Sequence, residues 1–199
     1  MTPESWAEWC LTVLGWRPPD PPSPNRLAQV LGITVIGKPT GPRTWDGTSG
    51  RDRDLWWICL NRSRPWTRRQ WTLAHEIGHI LQHGDRRVRG LWHRDGSAAN
   101  VLEREADRFA AAFLMPEALM DALVMNAVQP LSVEALARYL GLSEQAVARR
   151  LEELYPPPFF DVPRLRSRHG AAARQGRTCS CGRLVPHGCI SCSEPPCQA

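Results

Sequence analysis

The sequence predicts an α+β fold that is mostly helical, and three observations carry that expectation. From Thr67 onward, apolar residues recur at three- and four-residue spacing through several stretches. Two short runs, "ITVI" and "LWWICLN", are β-branched and aromatic in the manner of strands. Gly, Pro, Asp and Thr crowd the segment between those runs. With 199 residues, 42% of them hydrophobic, the chain can bury a core and has room for one ordinary domain and a small appendage.

The first forty residues read as a short helix, a Pro-rich connection "RPPDPPSPN", and then "RLAQVLGITVIG". Leu27, Val30 and Leu31 have helical spacing, Gly32 can end that helix, and "ITVI" follows as a strand. Lys38 to Asp54 reads as loop, and "LWWICLN" as a second strand. From Thr67 the period becomes helical, with Leu73, Ile77, Ile80 and Leu81 on one side and Gly84 where a C-terminal cap belongs. A polar segment runs to Asn100, followed by a helix from about Val101 to Met115 that Pro116 terminates. The stretch "SVEALARYLGLSEQAVARRLEELYPPP" gives two short amphipathic helices separated by "GLS". All nine tryptophans lie at or before Trp92, which assigns the heavy aromatic packing to the N-terminal half. No internal repeat is visible. These features divide the chain into a main domain over 1–125, a helix-turn-helix-like segment over 126–158, an Arg-rich linker over 159–178 and a Cys-rich tail over 179–199.

No run approaches the roughly 20 apolar residues that cross a bilayer, and "MTPESWAEWCLTVLGW" lacks the basic start and cleavage site of a signal peptide. The expectation is a cytoplasmic protein with no membrane partner. Five of the seven cysteines fall between Cys179 and Cys197, and clustered cysteines in a reducing compartment point to metal rather than disulfides. The net charge of +5 is mild, and Lys38 is the only lysine. "RLRSRHGAAARQGR" carries five arginines and no acid, the composition of a solvated linker, with nucleic-acid contact as the alternative.

The chemistry is concentrated in "LAHEIGHILQH". Helical positions four apart project from one face, so His75 and His79 can hold one ion while Glu76 lies beside it. Two imidazoles and a carboxylate make a three-ligand zinc site whose fourth position takes water, with a pKa lowered to about 7. Glu76 would then be the general base. An ordinary amphipathic helix with two half-buried histidines would show the same five residues, so a third ligand matters. His83, eight residues after His75, drifts about 80° around the helix and reads as a residue behind the ligands, or as an oxyanion donor, rather than a ligand. His93 is the other oxyanion candidate. In "LEREADRFAAAFLMP", Glu103 and Glu105 flank opposite edges of the stripe made by Leu102, Ala106, Phe109, Ala110 and Phe113, and the helical wheel does not choose between them.

The two segments "RRQWTLAHEIGHILQH" and "EREADRFAAAFLMP" together resemble the ImmA/IrrE family of bacterial and phage metallopeptidases, over roughly Arg26 to Leu154. The resemblance implies a catalytic zinc, with manganese as a substitute, and a third ligand at the glutamate directly before the Ala, which is Glu105. Asp107 departs from the family's usual Asn. The implied activity is endoproteolytic cleavage of a partner transcriptional repressor, itself a helix-turn-helix protein, relieving repression of stress-response or mobile-element genes.

Two further segments stand outside that chemistry. "LARYLGLSEQAVARRLEEL" has a helix-turn-helix layout, with Gly141 in the turn and Ser143 as N-cap. Glu134, Glu144, Glu152 and Glu153 weaken its attraction to phosphates, so DNA contact is the secondary expectation. In the tail, Cys179, Cys181, Cys189 and Cys192 bracket a turn and fit a second, structural zinc. Cys10 and Cys59 stand alone in apolar surroundings and read as core residues. The rival from another class is a non-catalytic regulator that binds DNA or protein and uses its metal only structurally.

Overall fold

The computed structural model describes residues 1–39, 45–88, 96–125 and 132–155. The chain divides into two compact units, Met1–Ala127 and Val128–Ala199. The first is the mostly helical α+β architecture that the sequence predicts.

Two helices open the chain, α1 over Pro3–Val13 and α2 over Pro24–Val30, and both begin by the same device. Thr2 and Ser23 are N-caps whose side chains accept from the backbone N–H three residues on, and a proline with its φ already set for helix stands first in each. Gly32, at φ 67°, turns the chain out of α2 into β1, Thr34–Lys38.

The sheet has the order β1-β3-β2, where β2 is Gly47–Asp52 and β3 is Leu55–Asn61. β1 pairs with β3 in parallel, and β2 with β3 antiparallel through the tight turn at Arg53 and Asp54. The sequence expectation of loop from Lys38 to Asp54 is corrected here. "GTSGRD" has little strand propensity of its own, and pairing with the apolar β3 imposes the extended form. Gly50 is required by its neighbour, since a Cβ there would sit 2.3 Å from the Trp57 ring.

Helix α3, Trp66–Val88, is the spine of the unit. One stripe of it lies along the sheet: the Thr72 methyl packs against Gly47, Glu76 meets Ser49, and Gly84 meets the Trp56 ring. Four helical residues advance about 6 Å and two strand residues about 6.6 Å, so the first two of these contacts stay in step. Gly84 does not cap α3, which continues four residues beyond it. A Cβ there would stand 2.9 Å from Trp56, so the glycine serves the close approach of helix to strand.

The opposite side of α3 packs on α4, Gly96–Leu114, which begins five residues before the expected Val101. Ala106, Phe109, Ala110 and Phe113 are wholly buried, with the two phenyl rings stacked 6.0 Å apart. α4 ends ahead of Pro116, and a further helix the sequence reading passed over, α5 at Glu117–Met125, buries Leu119 and Met120. Arg108 on α4 pairs with Glu4 on α1 at 2.8 Å. Cys10 and Cys59 are both buried, and burial pushes the Cys10 thiol up to about 12.

In the second unit, α6 is Val133–Leu140 and α7 is Glu144–Leu154. Gly141 closes α6 in the left-handed conformation, and Ser132 and Ser143 cap the two helices. The Arg-rich linker, the Cys-rich tail and His93 lie outside the described residues.

Candidate metal centre

The site is built where α3 faces α4. His75 and His79, one helical turn apart, bring their Nε2 atoms within 3.0 Å of each other, with the rings nearly perpendicular at 81°. The carboxylate that meets them comes from α4. Glu103 Oε2 stands 3.1 Å from His75 Nε2, and its Oε1 3.2 Å from His79 Nε2. Among the described residues, His75, His79 and Glu103 are the cluster whose ligand atoms converge closely enough to hold a metal ion.

The resemblance implies Glu105 as the third ligand, whereas the structure brings Glu103 to the two histidines. Glu105 turns to His83, with Oε2 at 2.8 Å from His83 Nε2. The reason is angular. Glu103 and Asp107 are four residues apart and share one edge of α4, and both reach His75, whereas Glu105 lies about 200° around the axis from Glu103. Both ring nitrogens of His83 are engaged, Nδ1 with His79 at 3.2 Å and Nε2 with Glu105.

The donor set fits a divalent ion. Asp107 accepts from His75 Nδ1–H at 2.9 Å and also from the Trp71 indole, so the nitrogen His75 can offer an ion is Nε2, facing Glu103 and His79. Ligands about 2.0–2.1 Å from a tetrahedral zinc stand roughly 3.3 Å apart, and the three separations here are 3.0, 3.1 and 3.2 Å. The electrostatics agree. Burial alone would lower the pKa of His75, but its hydrogen bonds to Asp107 and Glu103 prevail and push it up to about 9. The bonds from His75 and His79 hold Glu103 far below the usual carboxylate range. Burial would raise Asp107, yet its bond with His75 carries it downward. Such a cluster favours positive charge at its centre.

Glu76 is buried on the sheet side of the same helix, and Ser49 Oγ donates to its Oε2 at 2.5 Å. Its charge is felt at His75, where it contributes to the raised pKa. Ser49 was not legible as a site residue, because it lies in the segment that reads as loop. The one available signal was the charged "RDRD" before "LWWICLN", which marks a hairpin turn and so implies a partner strand upstream.

No helix among the described residues is long and apolar enough to cross a membrane. The fold is similar to that of a Mycobacterium tuberculosis transcriptional regulator, 19% identical, with a TM-score of 0.56. The match covers 79% of this chain and 48% of the regulator, so the chain spans about half the length of that protein. No curated protein matches the chain. Residues 28–152 match the peptidase M78 family, described as the IrrE N-terminal-like domain; they include both helices that carry the metal cluster, and the chain belongs to that family.

Proposed function

We propose that this chain is a zinc-dependent endopeptidase that cleaves a partner transcriptional repressor in the cytoplasm, with manganese as an alternative ion. The observation that carries the reading is the placement of Glu76, a buried carboxylate held by Ser49 beside what are, among the described residues, three convergent donors. A structural zinc site is closed by four protein ligands, whereas a catalytic one keeps a position for water. Family membership supports a peptidase-like domain.

In this reading His75, His79 and Glu103 hold the ion. When bound, zinc supplies Lewis acidity to a peptide carbonyl and lowers the pKa of water to about 7. Glu76 takes a proton from the attacking water and delivers it to the departing amine nitrogen. Ser49 fixes the direction of the Glu76 carboxylate from the sheet side. Asp107 keeps the His75 proton on Nδ1 and the ring turned inward.

The test is a cleavage time course with repressors encoded beside the gene, in zinc and in manganese. Glu76→Gln should keep its metal and its fold and lose about 10²- to 10⁴-fold in rate. A mutant that cuts at the wild-type rate with its metal in place would return the cluster to a structural role. On sequence grounds alone, Cys179, Cys181, Cys189 and Cys192 would hold a second, structural zinc. A chain ending near Pro163 should then carry one ion fewer than the full chain.

A further inference from the structure

We infer that Glu105 and His83 are positioning residues that lock His79 in its metal-binding tautomer through a two-step hydrogen-bond relay; this rests on the metal-site reading above. The three groups form a chain that leads from the surface to the cluster. Glu105 Oε2 is 2.8 Å from His83 Nε2, His83 Nδ1 is 3.2 Å from His79 Nδ1, and His79 Nε2 points at Glu103 and His75. Glu105 is partly exposed, while His83 and His79 are 2% and 1% exposed, so bulk water does not compete along the inner links.

With both imidazoles neutral, one arrangement of protons satisfies the two inner links. An ionised carboxylate only accepts, so His83 Nε2 must carry a proton and donate it to Glu105. The Nδ1 of neutral His83 is then a bare acceptor. The contact with His79 requires one donor, so His79 must carry its proton on Nδ1. That leaves the lone pair of His79 on Nε2, the atom 3.2 Å from Glu103 Oε1. The opposite order would put a proton on His79 Nε2 that an ion would have to displace.

The two metal-facing histidines are therefore set by different means. His75 is held directly by a carboxylate, Asp107, and His79 by a carboxylate acting through a second imidazole. The geometry accounts for three buried or half-buried histidines one turn apart on α3, of which two face the ion. It also gives Glu105 a task that does not require it to touch the metal.

The experiment is a cobalt(II) titration of the full-length chain against a competing chelator. Visible bands separate nitrogen and oxygen ligation from thiolate ligation, and circular dichroism checks the fold. His83→Leu, which keeps the bulk and removes the acceptor, should weaken the nitrogen–oxygen site by about 10- to 100-fold. His83→Asn places an amide oxygen near the position of Nδ1 and should recover most of the affinity. Glu105→Gln can donate to His83 Nε2 and reverse the relay. It should weaken binding while leaving the shape of the cobalt bands unchanged, and as a change at a partly exposed carboxylate it keeps the test open if His83→Leu fails to fold. Wild-type affinity in both His83→Leu and Glu105→Gln, or an Asn variant as weak as Leu, overturns the relay. Altered bands in Glu105→Gln with unaltered bands in Glu103→Gln would place Glu105 on the ion and also overturn it. A wild-type chain that takes up no cobalt with nitrogen–oxygen bands removes the metal-site reading itself, and the relay with it.

Discussion

Helices α3 and α4 meet over Glu103, Asp107 and three histidines, two of them almost wholly buried, whereas α6 and α7 bury Leu136, Ala137, Leu140, Val147 and Leu151. The second pair is organised by local signals: a serine cap on each helix, a left-handed glycine between them and an apolar stripe. The first pair places polar groups where burial is costly and then satisfies each with a partner. A helix pair that needed only stability would have no use for that arrangement. The contrast supports the proposal that α3–α4 is the chemical part of the molecule, and it makes α6–α7 a part whose stability is set by caps and packing.

The strongest way to break this contrast is to remove a proposed ligand. Glu103→Ala should strip the ion at micromolar metal and abolish cleavage, measured by metal content after dialysis. Glu105→Ala should only weaken binding, since its bond is to His83. The reverse result would return the third ligand to Glu105.

The pH dependence of metal uptake sharpens the same point. His75 in the metal-free protein is pushed up to about 9 by its bonds with Asp107 and Glu103, against the pull of burial, so near neutrality it carries a proton that the ion must displace. Apparent affinity should therefore rise about tenfold per pH unit up to about pH 9 and then level off, accompanied by proton release in weakly buffered solution. A flat profile between pH 6 and 8 would mean that His75 already lacks that proton.

What could be read from the sequence follows the same division. The five-residue histidine pattern and the period of α3 placed His75, Glu76 and His79 on adjoining faces of one helix, because those relations depend only on spacing. Ser143 as a cap and Gly141 in the turn were legible for the same reason. The choice between Glu103 and Glu105 was not. A wheel gives the angle of a side chain but not what the facing helix presents, and here α3 offers imidazoles to both edges of α4. β2 and Ser49 were hidden because the strand is imposed by its neighbour rather than by its own residues. Gly84 misled because a glycine needed for close packing reads the same as one needed for a cap.

A smaller effect tests how closely the two metal helices must approach. A Cβ on Gly78 would lie 2.8 Å from Cδ1 and 3.2 Å from Cβ of Phe109, a buried ring stacked on Phe113 that has little room to yield. Gly78→Ala gains about 1 kcal/mol in helix propensity. The overpacking costs about 1–3 kcal/mol, so the net effect should be a loss of stability in denaturant melts. Metal affinity should fall as well, since Glu103 rides on the displaced helix. Unchanged affinity with lowered stability would mean that α4 can shift without moving its carboxylate.

The smallest effect belongs to the other pair. Ser143 has extended backbone angles, φ −77° and ψ 148°, and its Oγ accepts from Ala146 N–H at 3.3 Å, satisfying one of the N–H groups that the first turn of α7 leaves without a helical acceptor. Ser143→Ala removes that acceptor and should cost about 0.5–2 kcal/mol, while Asp at the same position should be close to neutral because its carboxylate can cap the same turn. The cap's bonds lie within α7, and none of them reaches the histidine cluster. Cobalt affinity should therefore be the same in Ser143→Ala as in the wild type, while the denaturant midpoint falls. If the cap mutant instead loses metal affinity in proportion to stability, then the two helix pairs share one cooperative unit, and the division between a chemical part and a supporting part does not hold.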